Sequence, residues 1–366
     1  LDMPLGTAFV ERVARAWDEG DAIFPLDGRL PDAARRSLLA SVRPTVVCDG
    51  SGDTRLDGDA VEEGDAVVVA TSGSSGEPKA AVLTHDAVRA GALAVTSRLR
   101  IGHGDSWLAC LPPAHIGGLS VVLRALVTGT PVITAEKFTV KAYNDAARSG
   151  ATLVSLVPAA LARVDASLYR VIVLGGSRPP ADRPDNCIAT YGMTETGSGI
   201  VYDGRPIPGA EIEIRDGIIH VRGPMLMRGY RRGDSPFTSD GWLRTGDMGS
   251  FNDDGTLAVH GREGDLIITG GENVWPDTVE GAISSHPSVT DCCVVGVDDP
   301  EWGSAVHAFV VCSSTVTLDE IRGHVKETLP AWCAPKALHT VDAIPRTALG
   351  KPRRAELAAL AAGNNT

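Results

Sequence analysis

A serine- and glycine-rich segment carries the clearest chemistry in this chain, at Thr71-Ser-Gly-Ser-Ser-Gly-Glu-Pro-Lys79. Backbone N–H groups, hydroxyls and one lysine in a turn can surround an anion, and a polyphosphate suits such a set. Two residues separate Gly73 from Gly76, and Pro78 stands before the lysine, so Lys79 is expected in a strand. A P-loop needs four residues between its glycines and a lysine opening a helix. The segment therefore predicts a polyphosphate loop and excludes a P-loop kinase, with a flexible Ser/Gly linker as the alternative.

A second group of residues suits magnesium and purine binding. Glu195 follows a predicted strand and a glycine, in a polar turn between Thr194 and Thr196. Phosphate enzymes commonly hold Mg²⁺ with one or two carboxylates and the phosphate oxygens. Tyr191 lies just before this turn and could stack on a purine. The segment therefore indicates a nucleotide and magnesium site.

Three more charged residues could complete such a site. Asp247, in a Thr-Gly-Asp sequence, could accept hydrogen bonds from ribose hydroxyls, and Arg262 could support the same ring. Lys351, beside a glycine, could neutralise charge during phosphoryl or nucleotidyl transfer. Each has an ordinary alternative when taken alone: a simple turn, a solvated lysine or, for His115, a packed histidine. Their joint occurrence in this order is what points to a function.

The predicted elements around these residues alternate between strands and helices. A β-branched strand at 65–70 follows a polar surface loop at 49–65, and a second strand lies at 80–84. Strands and helices then alternate up to residue 191, and one strand ends in Gly175-Gly176, the usual site of a ligand-facing turn in an α/β sheet. The pattern predicts a large α/β domain.

The pattern changes after residue 207. A small antiparallel β subdomain is predicted from short alternating segments at 210–214, 218–221 and 257–259. Beyond residue 264 the order helix, strand, strand, helix, strand predicts a compact α+β module. We therefore expect a large domain over 1–263 and a small domain over 264–366, consistent with a 366-residue chain.

Composition excludes several classes of protein. The formal net charge of −12 argues against binding to nucleic acid or to an anionic membrane surface. Apolar runs are too short for a membrane span, and the N-terminus lacks the pattern of a signal peptide. The seven cysteines are odd in number and irregularly spaced, which predicts reduced thiols without zinc or disulfides, and a cytoplasmic location.

Five segments, in order, resemble the motifs of the adenylate-forming enzymes, which include acyl-CoA synthetases, peptide-synthetase adenylation domains and luciferases. These segments are 71–79, 191–196, 245–247, 261–276 and 345–351. The resemblance covers nearly the whole chain. It implies a large N-terminal domain with mixed sheets, a small mobile C-terminal domain, and the use of ATP, Mg²⁺ and CoA.

The resemblance also implies residue roles. ATP or AMP would be bound by Thr71, Ser72, Gly73, Ser74, Ser75, Gly76, Lys79, Gly175, Gly176, Ser177, Tyr191, Gly192, Met193, Thr194, Asp247, Arg262 and Lys351. The catalytic residues would be His115, Thr194, Glu195 and Lys351, with Glu195 holding Mg²⁺. A loop, Gly270, Gly271, Glu272 and Asn273, would line a CoA channel gated by His115.

The implied reaction has two steps. A carboxylate attacks the α-phosphate of ATP to give an acyl-adenylate and pyrophosphate, and Lys351 and Mg²⁺ offset the repulsion between the two anions. A thiol then displaces AMP. Since Lys351 and the CoA-channel loop cannot act on the same atoms together, the resemblance implies rotation about 261–265 between steps. The chain departs from the common pattern in a shorter N-terminal part and in Gly264, a hinge position that is often Asp or Lys.

Among these families, the segments 111–119 and 191–204 and the short N-terminal part look most like actinobacterial o-succinylbenzoate–CoA ligases of menaquinone biosynthesis. Such a substrate has a second carboxylate and an aromatic ketone, which call for a cationic or hydroxyl-bearing wall. The candidates for that wall are Ser120, Arg124, Ser198 and Tyr202.

Three other functions stay open at this point. One is another acyl- or aryl-CoA ligase, and another is a free-standing adenylation domain that loads a carrier protein. The third is a non-catalytic nucleotide-binding module, against which the presence of Lys79, Glu195 and Lys351 argues. The expected partners are a carboxylic acid, ATP and CoA, and the sequence leaves open whether the chain forms a homodimer.

Overall fold

The computed structural model describes residues 1–71, 79–180, 182–233, 235–346 and 352–363. The chain divides into two compact units. Unit 1 contains Leu1–Glu213, His220–Arg244 and Asp253–Leu257, and unit 2 contains Ile214–Ile219, Thr245–Asn252 and Ala258–Thr366. These units are not the division expected at 263/264, since unit 2 also includes earlier segments. The expected division concerns which part of the chain rotates, and it stays a prediction.

Most helices lie where the apolar periodicity indicates them. The α-helices of the described residues are α1 (Thr7–Asp18), α2 (Asp32–Val42), α3 (His85–Leu99), α4 (Ile116–Thr128), α5 (Val140–Arg148), α6 (Pro158–Leu161), α7 (Pro276–Ser284), α8 (Leu318–Thr328) and α9 (Arg354–Gly363). Threonine hydroxyls cap the starts of α3, α5 and α8 by accepting a backbone N–H three residues on. Within the described ranges, every helix is too short or too polar to span a bilayer.

The strands are numbered in chain order. They are β1 (Val46–Cys48), β2 (Asp53–Arg55), β3 (Asp65–Thr71), β4 (Lys79–Thr84), β5 (Trp107–Ala109), β6 (Val132–Thr134), β7 (Leu153–Leu156), β8 (Val171–Leu174), β9 (Cys187–Met193), β10 (Ser198–Tyr202), β11 (Arg205–Pro206), β12 (Glu211–Arg215), β13 (Ile218–Arg222), β14 (Gly229–Tyr230), β15 (Leu243–Phe251), β16 (Leu257–Arg262), β17 (Ile267–Thr269), β18 (Glu272–Val274), β19 (Val289–Asp299), β20 (Gly303–Cys312) and β21 (Ala337–Thr340).

A seven-stranded sheet forms the centre of unit 1, in the order β11-β10-β9-β8-β7-β5-β6. The strands from β6 to β9 are parallel, and β10 and β11 are antiparallel to their neighbours. Parallel neighbours need crossover connections, which α4, α5 and α6 provide. Leu108, Val154 and Ile172 are buried in this core. The predicted α/β domain is confirmed.

The predicted polyphosphate loop connects two paired strands. Strands β3 and β4 are antiparallel, and Thr71 pairs with Lys79 at the last described position on each side. The other edge of β4 pairs with β14, where Tyr230 lies opposite Ala81. The placement of Lys79 in a strand is therefore confirmed. Ser72, Gly73, Ser74, Ser75 and Gly76 lie outside the described residues.

Unit 2 contains the predicted α+β module. Its sheet has the order β18-β17-β20-β19, and β21 pairs in parallel with β20. One core cluster joins β19 and β20 to α7 and α8 through Val279, Val294, Val306 and Ile321. A second cluster joins residues of α9, including Leu357, to other side chains of β19 and β20. The helix and strand order expected beyond residue 264 is confirmed.

Several segments differ from the sequence predictions. Strand β2 lies inside the predicted loop at 49–65; its residues are all exposed, so no apolar alternation marked it. Strand β15 was not predicted as a strand, and it belongs to a sheet of order β12-β13-β15-β16. Glu272 and Asn273, expected in a loop, lie in β18.

Candidate functional site

Tyr230 connects two of the predicted nucleotide-binding residues in unit 1. Its hydroxyl donates a hydrogen bond to Glu195 Oε1 at 2.8 Å, and Lys79 Nζ lies 5.0 Å from the centre of its ring. This pairing arises because β14 and the 194–196 turn both approach β4, and Met227 N–H also donates to the Glu195 carbonyl at 2.8 Å. The lysine at the end of the predicted phosphate loop and the predicted magnesium carboxylate therefore share one aromatic neighbour.

Residues Thr194–Thr196 form one turn of 3₁₀-helix after β9, and side-chain hydrogen bonds fix it. Thr196 Oγ1 accepts the Met193 N–H at 2.9 Å and donates to the Ser198 carbonyl at 2.7 Å. Gly192 and Met193, expected in the turn, belong to the strand. A Cβ atom at Gly192 would lie 2.3 Å from the Ser198 carbonyl oxygen, so only glycine fits there. The turn therefore presents Thr194 and Glu195 from a fixed backbone.

The predicted adenine-site residues lie at the ends of adjacent parallel strands. Gly175, Gly176 and Ser177 follow β8, and Tyr191 lies in β9, its neighbour. Gly176 has φ of +88°, a conformation that favours glycine. Tyr191 is half-buried. The sheet thus brings these four residues to one edge, as the resemblance requires, although their contacts with a purine stay a prediction.

In unit 2, Asp247 and Arg262 form an ion pair. Arg262 Nε lies 2.8 Å from Asp247 Oδ1, and Arg262 Nη1 donates to the Thr245 carbonyl at 2.8 Å. Asp247 is buried within β15, so the simple-turn alternative for Thr-Gly-Asp is wrong. Gly246 has φ of +73°, which distorts the strand at that point. The pair places a carboxylate and a guanidinium together, as ribose binding would need.

His115, the predicted gate, directly precedes α4 and contacts two residues from the N-terminal part of the chain. Its Nε2 lies 3.2 Å from Arg29 Nη2 and 3.4 Å from Asp27 Oδ2. Arg29 also donates two hydrogen bonds to the buried Asp27, at 2.8 and 2.7 Å. Burial lowers the pKa of His115, and Asp27 offsets only part of that effect. The imidazole is therefore neutral at pH 7.

Three of the four predicted acid-binding residues meet in one cavity of unit 1. Ser120 and Arg124 of α4 and Ser198 of β10 line it, together with Thr196 and Gly197. Small residues of α3 form the opposite wall: Ala87, Val88, Gly91 and Ala92. The cavity measures about 20 Å³, room for a water molecule or two. It lies beside the turn that carries Glu195.

Arg124 has an unusual electrostatic environment. It is only 3% exposed, and within the described chain its Nε and Nη1 atoms have no hydrogen-bond partner. Its guanidinium carbon lies 4.9 Å from the centre of the Trp107 ring. Burial lowers its pKa, while the nearby Tyr202, itself buried but not among the cavity residues, raises it. A buried cation without a counter-ion is costly, so this arrangement favours an anionic ligand in the cavity.

The predicted CoA-channel residues form a hairpin in unit 2. Gly270 and Gly271 make the two-residue turn between β17 and β18, and both have positive φ, +59° and +85°. Gly270 packs against Trp302: it donates to the Trp302 carbonyl at 2.8 Å, and a Cβ atom there would lie 2.9 Å from the indole. The loop expectation is therefore correct for the glycines only.

For two further predicted residues, Gly264 and Lys351, the predicted role is not tested by the described structure. Gly264 lies in a short 3₁₀ turn, Glu263–Asp265, with ordinary backbone angles and open space around its Cα, so its resting conformation does not require glycine. Its role as a hinge stays a prediction. Lys351 lies outside the described residues.

Sequence reasoning missed Tyr230, Asp27, Arg29 and Trp107 as neighbours of the site. Tyr230 lies in a two-residue strand and follows no motif, so only its pairing with β4 reveals it. Asp27 and Arg29 lie in an irregular segment between α1 and α2. Arg124, in contrast, was predicted, and it is also marked in the sequence as the one charged residue in the apolar helix α4.

Comparison with known proteins agrees with the fold. The family model for AMP-binding enzymes matches residues 31–231, and the model for the C-terminal domain of AMP-binding enzymes matches residues 278–351. The chain belongs to the AMP-binding enzyme family. The resemblance to the adenylate-forming enzymes seen in the five motifs is therefore confirmed.

Within this family, the chain is similar to 2-succinylbenzoate–CoA ligases. It is 38% identical over 338 residues to a probable 2-succinylbenzoate–CoA ligase of Mycobacterium tuberculosis H37Rv, covering 84% of this chain and 87% of that protein. A Bacillus subtilis o-succinylbenzoate–CoA synthetase, solved with its acyl-adenylate intermediate, is 29% identical with a TM-score of 0.80; the match covers 95% of this chain and 80% of that one. The same enzyme solved with ATP and magnesium gives a TM-score of 0.77 at 29% identity over 95% and 81%.

Proposed function

We propose that this chain is an ATP-dependent 2-succinylbenzoate–CoA ligase of menaquinone biosynthesis. It activates the acid as an acyl-adenylate with release of pyrophosphate, and then transfers the acyl group to CoA with release of AMP. The family membership and the similarity to the named ligases support the class of reaction. Its partners are the acid, ATP and CoA; a homodimer stays an untested prediction.

The buried guanidinium of Arg124 is the observation that carries the choice of acid. A substrate with one carboxylate would leave this cation without a counter-ion, whereas a dicarboxylate can present its second carboxylate to the guanidinium, where the Nε–H or an Nη1–H can donate to it. The hydroxyls of Ser120 and Ser198 line the same cavity and can donate to that group. The cavity in its present form is smaller than the acid, so binding must move its walls apart. The side chains of α3 that line it are small, so they hinder this movement least.

Activation of the acid brings two anions together, and the chain's own charges offset their repulsion. Lys79 and the serine-rich segment hold the β- and γ-phosphates, Thr194 contacts the α-phosphate, and Lys351 joins the carboxylate to it. Asp247 and Arg262 hold the ribose. Each of these contacts fixes the reacting groups before the bond forms, so their main contribution is orientation.

The residues present fit a magnesium ion. Glu195 is held by a turn whose backbone is fixed, and a carboxylate that keeps one oxygen for the Tyr230 hydroxyl has a second oxygen for a cation. Lys79 lies across the Tyr230 ring, beside the phosphate-binding segment, where ATP oxygens can complete the coordination. When bound, Mg²⁺ neutralises charge on the phosphates.

In the second step the CoA thiol attacks the acyl carbon, the bond from that carbon to the phosphate oxygen breaks, AMP leaves, and the thiol proton passes to solvent. The neutral His115 lines the path, and its contact with the Arg29–Asp27 pair fixes the orientation of its ring. The hairpin turn at Gly270 and Gly271 lines the same channel after rotation about Gly264. We place the reaction in the cytoplasm, where ATP and CoA occur. The seven cysteines are all free thiols, as in a reducing compartment.

Two acids and one variant test this function. The purified chain is offered 2-succinylbenzoate and 4-oxo-4-phenylbutanoate, which keeps the ketone and the aliphatic carboxylate but lacks the ring carboxylate. We expect kcat/KM for pyrophosphate release to be at least about 30-fold higher with the dicarboxylate, the cost of an unpaired buried charge. Arg124→Met should remove most of this preference. Equal use of both acids by the unmodified chain would overturn the substrate assignment and leave a general acyl-CoA ligase.

A further inference from the structure

One arginine of unit 2 joins three separate segments of the chain. Arg354 begins α9, and its guanidinium contacts Asp277 and Glu280 of α7 and Asp265 of the 263–265 turn. The Nη2 atom lies 2.6 Å from Asp277 Oδ1, and Nε lies 3.3 Å from Asp265 Oδ2. Nη1 donates to Glu280 and also to the Val294 carbonyl at 3.1 Å.

The centre of this cluster, Arg354 with Glu280, is shielded from solvent, whereas Asp265 and Asp277 are more exposed, at 39% and 45%. The Arg354 side chain is 19% exposed and that of Glu280 is 17% exposed. Burial alone lowers the pKa of Arg354, but the hydrogen bond and the charge of Glu280 outweigh burial, and the net effect raises it. Glu280 in turn accepts the Val294 N–H at 2.7 Å, which fixes α7 to β19. A planar donor with several fixed partners holds its neighbours in one geometry, which a lysine cannot reproduce.

The described residues on both sides of 347–351 are held in place. Arg353 N–H donates to the Pro345 carbonyl at 2.9 Å, and Arg346 and Pro352 form an antiparallel bridge. Arg346 also makes a two-pronged contact with Asp291 of β19, at 2.7 and 2.8 Å. The chain therefore leaves and re-enters the described structure at two closely spaced, anchored points, and Arg354 is the more buried of the two arginine anchors.

We propose that Arg354 is a positioning residue for acid activation, which ties the base of the 347–351 segment to the hinge-side residue Asp265 and to α7. On rotation about Gly264, the anchored residues on both sides of the 347–351 segment, Arg346 and Pro352, then move together with α7, and this sets the direction from which Lys351 approaches the α-phosphate. This inference rests on the proposed function, and specifically on Lys351 acting in the first step. Arg354 contacts neither substrate nor the reacting atoms.

The two half-reactions separate positioning from a general loss of structure. We expect Arg354→Ala to slow acid-dependent ATP–pyrophosphate exchange at least about tenfold, while thioester formation from preformed acyl-adenylate and CoA stays within about twofold. Arg354→Lys, which keeps the charge but not the fork, should recover only part of the exchange rate. Arg353→Ala is the matched control: the neighbouring arginine is half exposed and pairs with Glu356 at 3.4 Å, and this change should alter neither step.

A double-mutant cycle tests whether Arg354 acts through the lysine. If it does, Lys351→Ala with Arg354→Ala should be no slower in exchange than Lys351→Ala alone. Three results would overturn the positioning role. The first is a double variant whose loss of exchange rate is the product of the two single losses. The second is an equal fall in both half-reactions of Arg354→Ala and Arg354→Lys, and the third is unchanged exchange in Arg354→Ala. Normal exchange in Lys351→Ala would instead remove the lysine assignment. Exchange that another acid supports and 2-succinylbenzoate does not would overturn the proposed substrate and leave the Arg354 test intact.

Discussion

The Tyr230 hydroxyl donates a hydrogen bond to Glu195 Oε1 across 2.8 Å, and the two residues come from parts of the chain 35 positions apart. Lys79 Nζ lies over the aromatic ring of the same tyrosine, 5.0 Å from the ring centre. Tyr230 thus orients the proposed magnesium carboxylate and the proposed phosphate lysine at once. Positioning of this kind is what fixes the ligands of a catalytic metal.

Removal of the Tyr230 hydroxyl should weaken magnesium binding. In Tyr230→Phe the aromatic contact with Lys79 stays, and the charge-assisted hydrogen bond to Glu195 is lost. We expect the Mg²⁺ concentration for half-maximal pyrophosphate release to rise about tenfold, the cost of one such bond. Titration of the acid-dependent rate with Mg²⁺ measures it. Tyr230→Leu should also change the KM for ATP, and an unaltered Mg²⁺ titration in Tyr230→Phe would contradict the role of the hydroxyl.

The ion pair of Asp247 and Arg262 should govern ATP affinity. We expect Asp247→Asn to raise the KM for ATP about tenfold with little change in kcat, because ribose contacts are made equally in the ground state and the transition state. Initial rates at varied ATP concentration measure this. Asp254→Asn is the control, since Asp254 is an exposed turn residue that accepts from Thr256. A fall in kcat without a change in KM would indicate that Asp247 acts in the chemical step instead.

A bulky side chain at Gly271 should block the second step. A Cβ atom there meets nothing within 4 Å, although the φ of +85° adds strain. We expect Gly271→Leu to slow thioester formation by at least about tenfold, as a misplaced group in a channel does, and to spare acid-dependent ATP–pyrophosphate exchange. Gly255→Leu is the matched control, since Gly255 also has positive φ, +77°, and open space. Equal effects of both changes on both steps would mean that strain alone is responsible.

The partly buried His115 should make stability depend on pH. The unfolded chain takes up a proton near the ordinary imidazole pKa of 6.5, whereas burial lowers the pKa of the folded His115. The unfolded state therefore binds more protons just below pH 6.5, and the folded state loses stability as the pH falls through that range. His115→Gln should reduce the drop in melting temperature between pH 7.5 and 5.5. The exposed His103→Gln serves as the control, and an unchanged drop in His115→Gln would contradict the burial effect.

Much of the fold follows from local patterns. The apolar periodicity after residue 84 predicts a helix over about 85–99, and α3 has these bounds, since Thr84 caps its start and an apolar face continues to Leu99. The strands on both sides of the 71–79 segment are also marked by local sequence, β3 by a run of β-branched residues and β4 by the apolar run at 80–83. Strands β2 and β14 escaped prediction, since the first is fully exposed and the second has two residues whose pairing depends on distant β4.

The residues of the candidate site also differ in whether local sequence marks them. Motif residues such as Glu195 and Asp247 are marked by local sequence, and the structure gives them defined surroundings. Tyr230 and the Arg29–Asp27 pair come from segments without any motif, and only the tertiary fold brings them to Glu195 and to His115. Arg124 is intermediate: a lone charge in an apolar helix can be seen in the sequence, but that its Nε and Nη1 have no hydrogen-bond partner among the described residues is a property of the folded chain.

The most direct test of the proposed activity is the identity of the products formed from ATP, CoA and 2-succinylbenzoate, followed by mass spectrometry. We predict AMP and 2-succinylbenzoyl-CoA in equal amounts and no ADP. When the acid is left out, no thioester should form. Formation of ADP, or an acyl-adenylate that persists when CoA is supplied, would contradict an acid–CoA ligase.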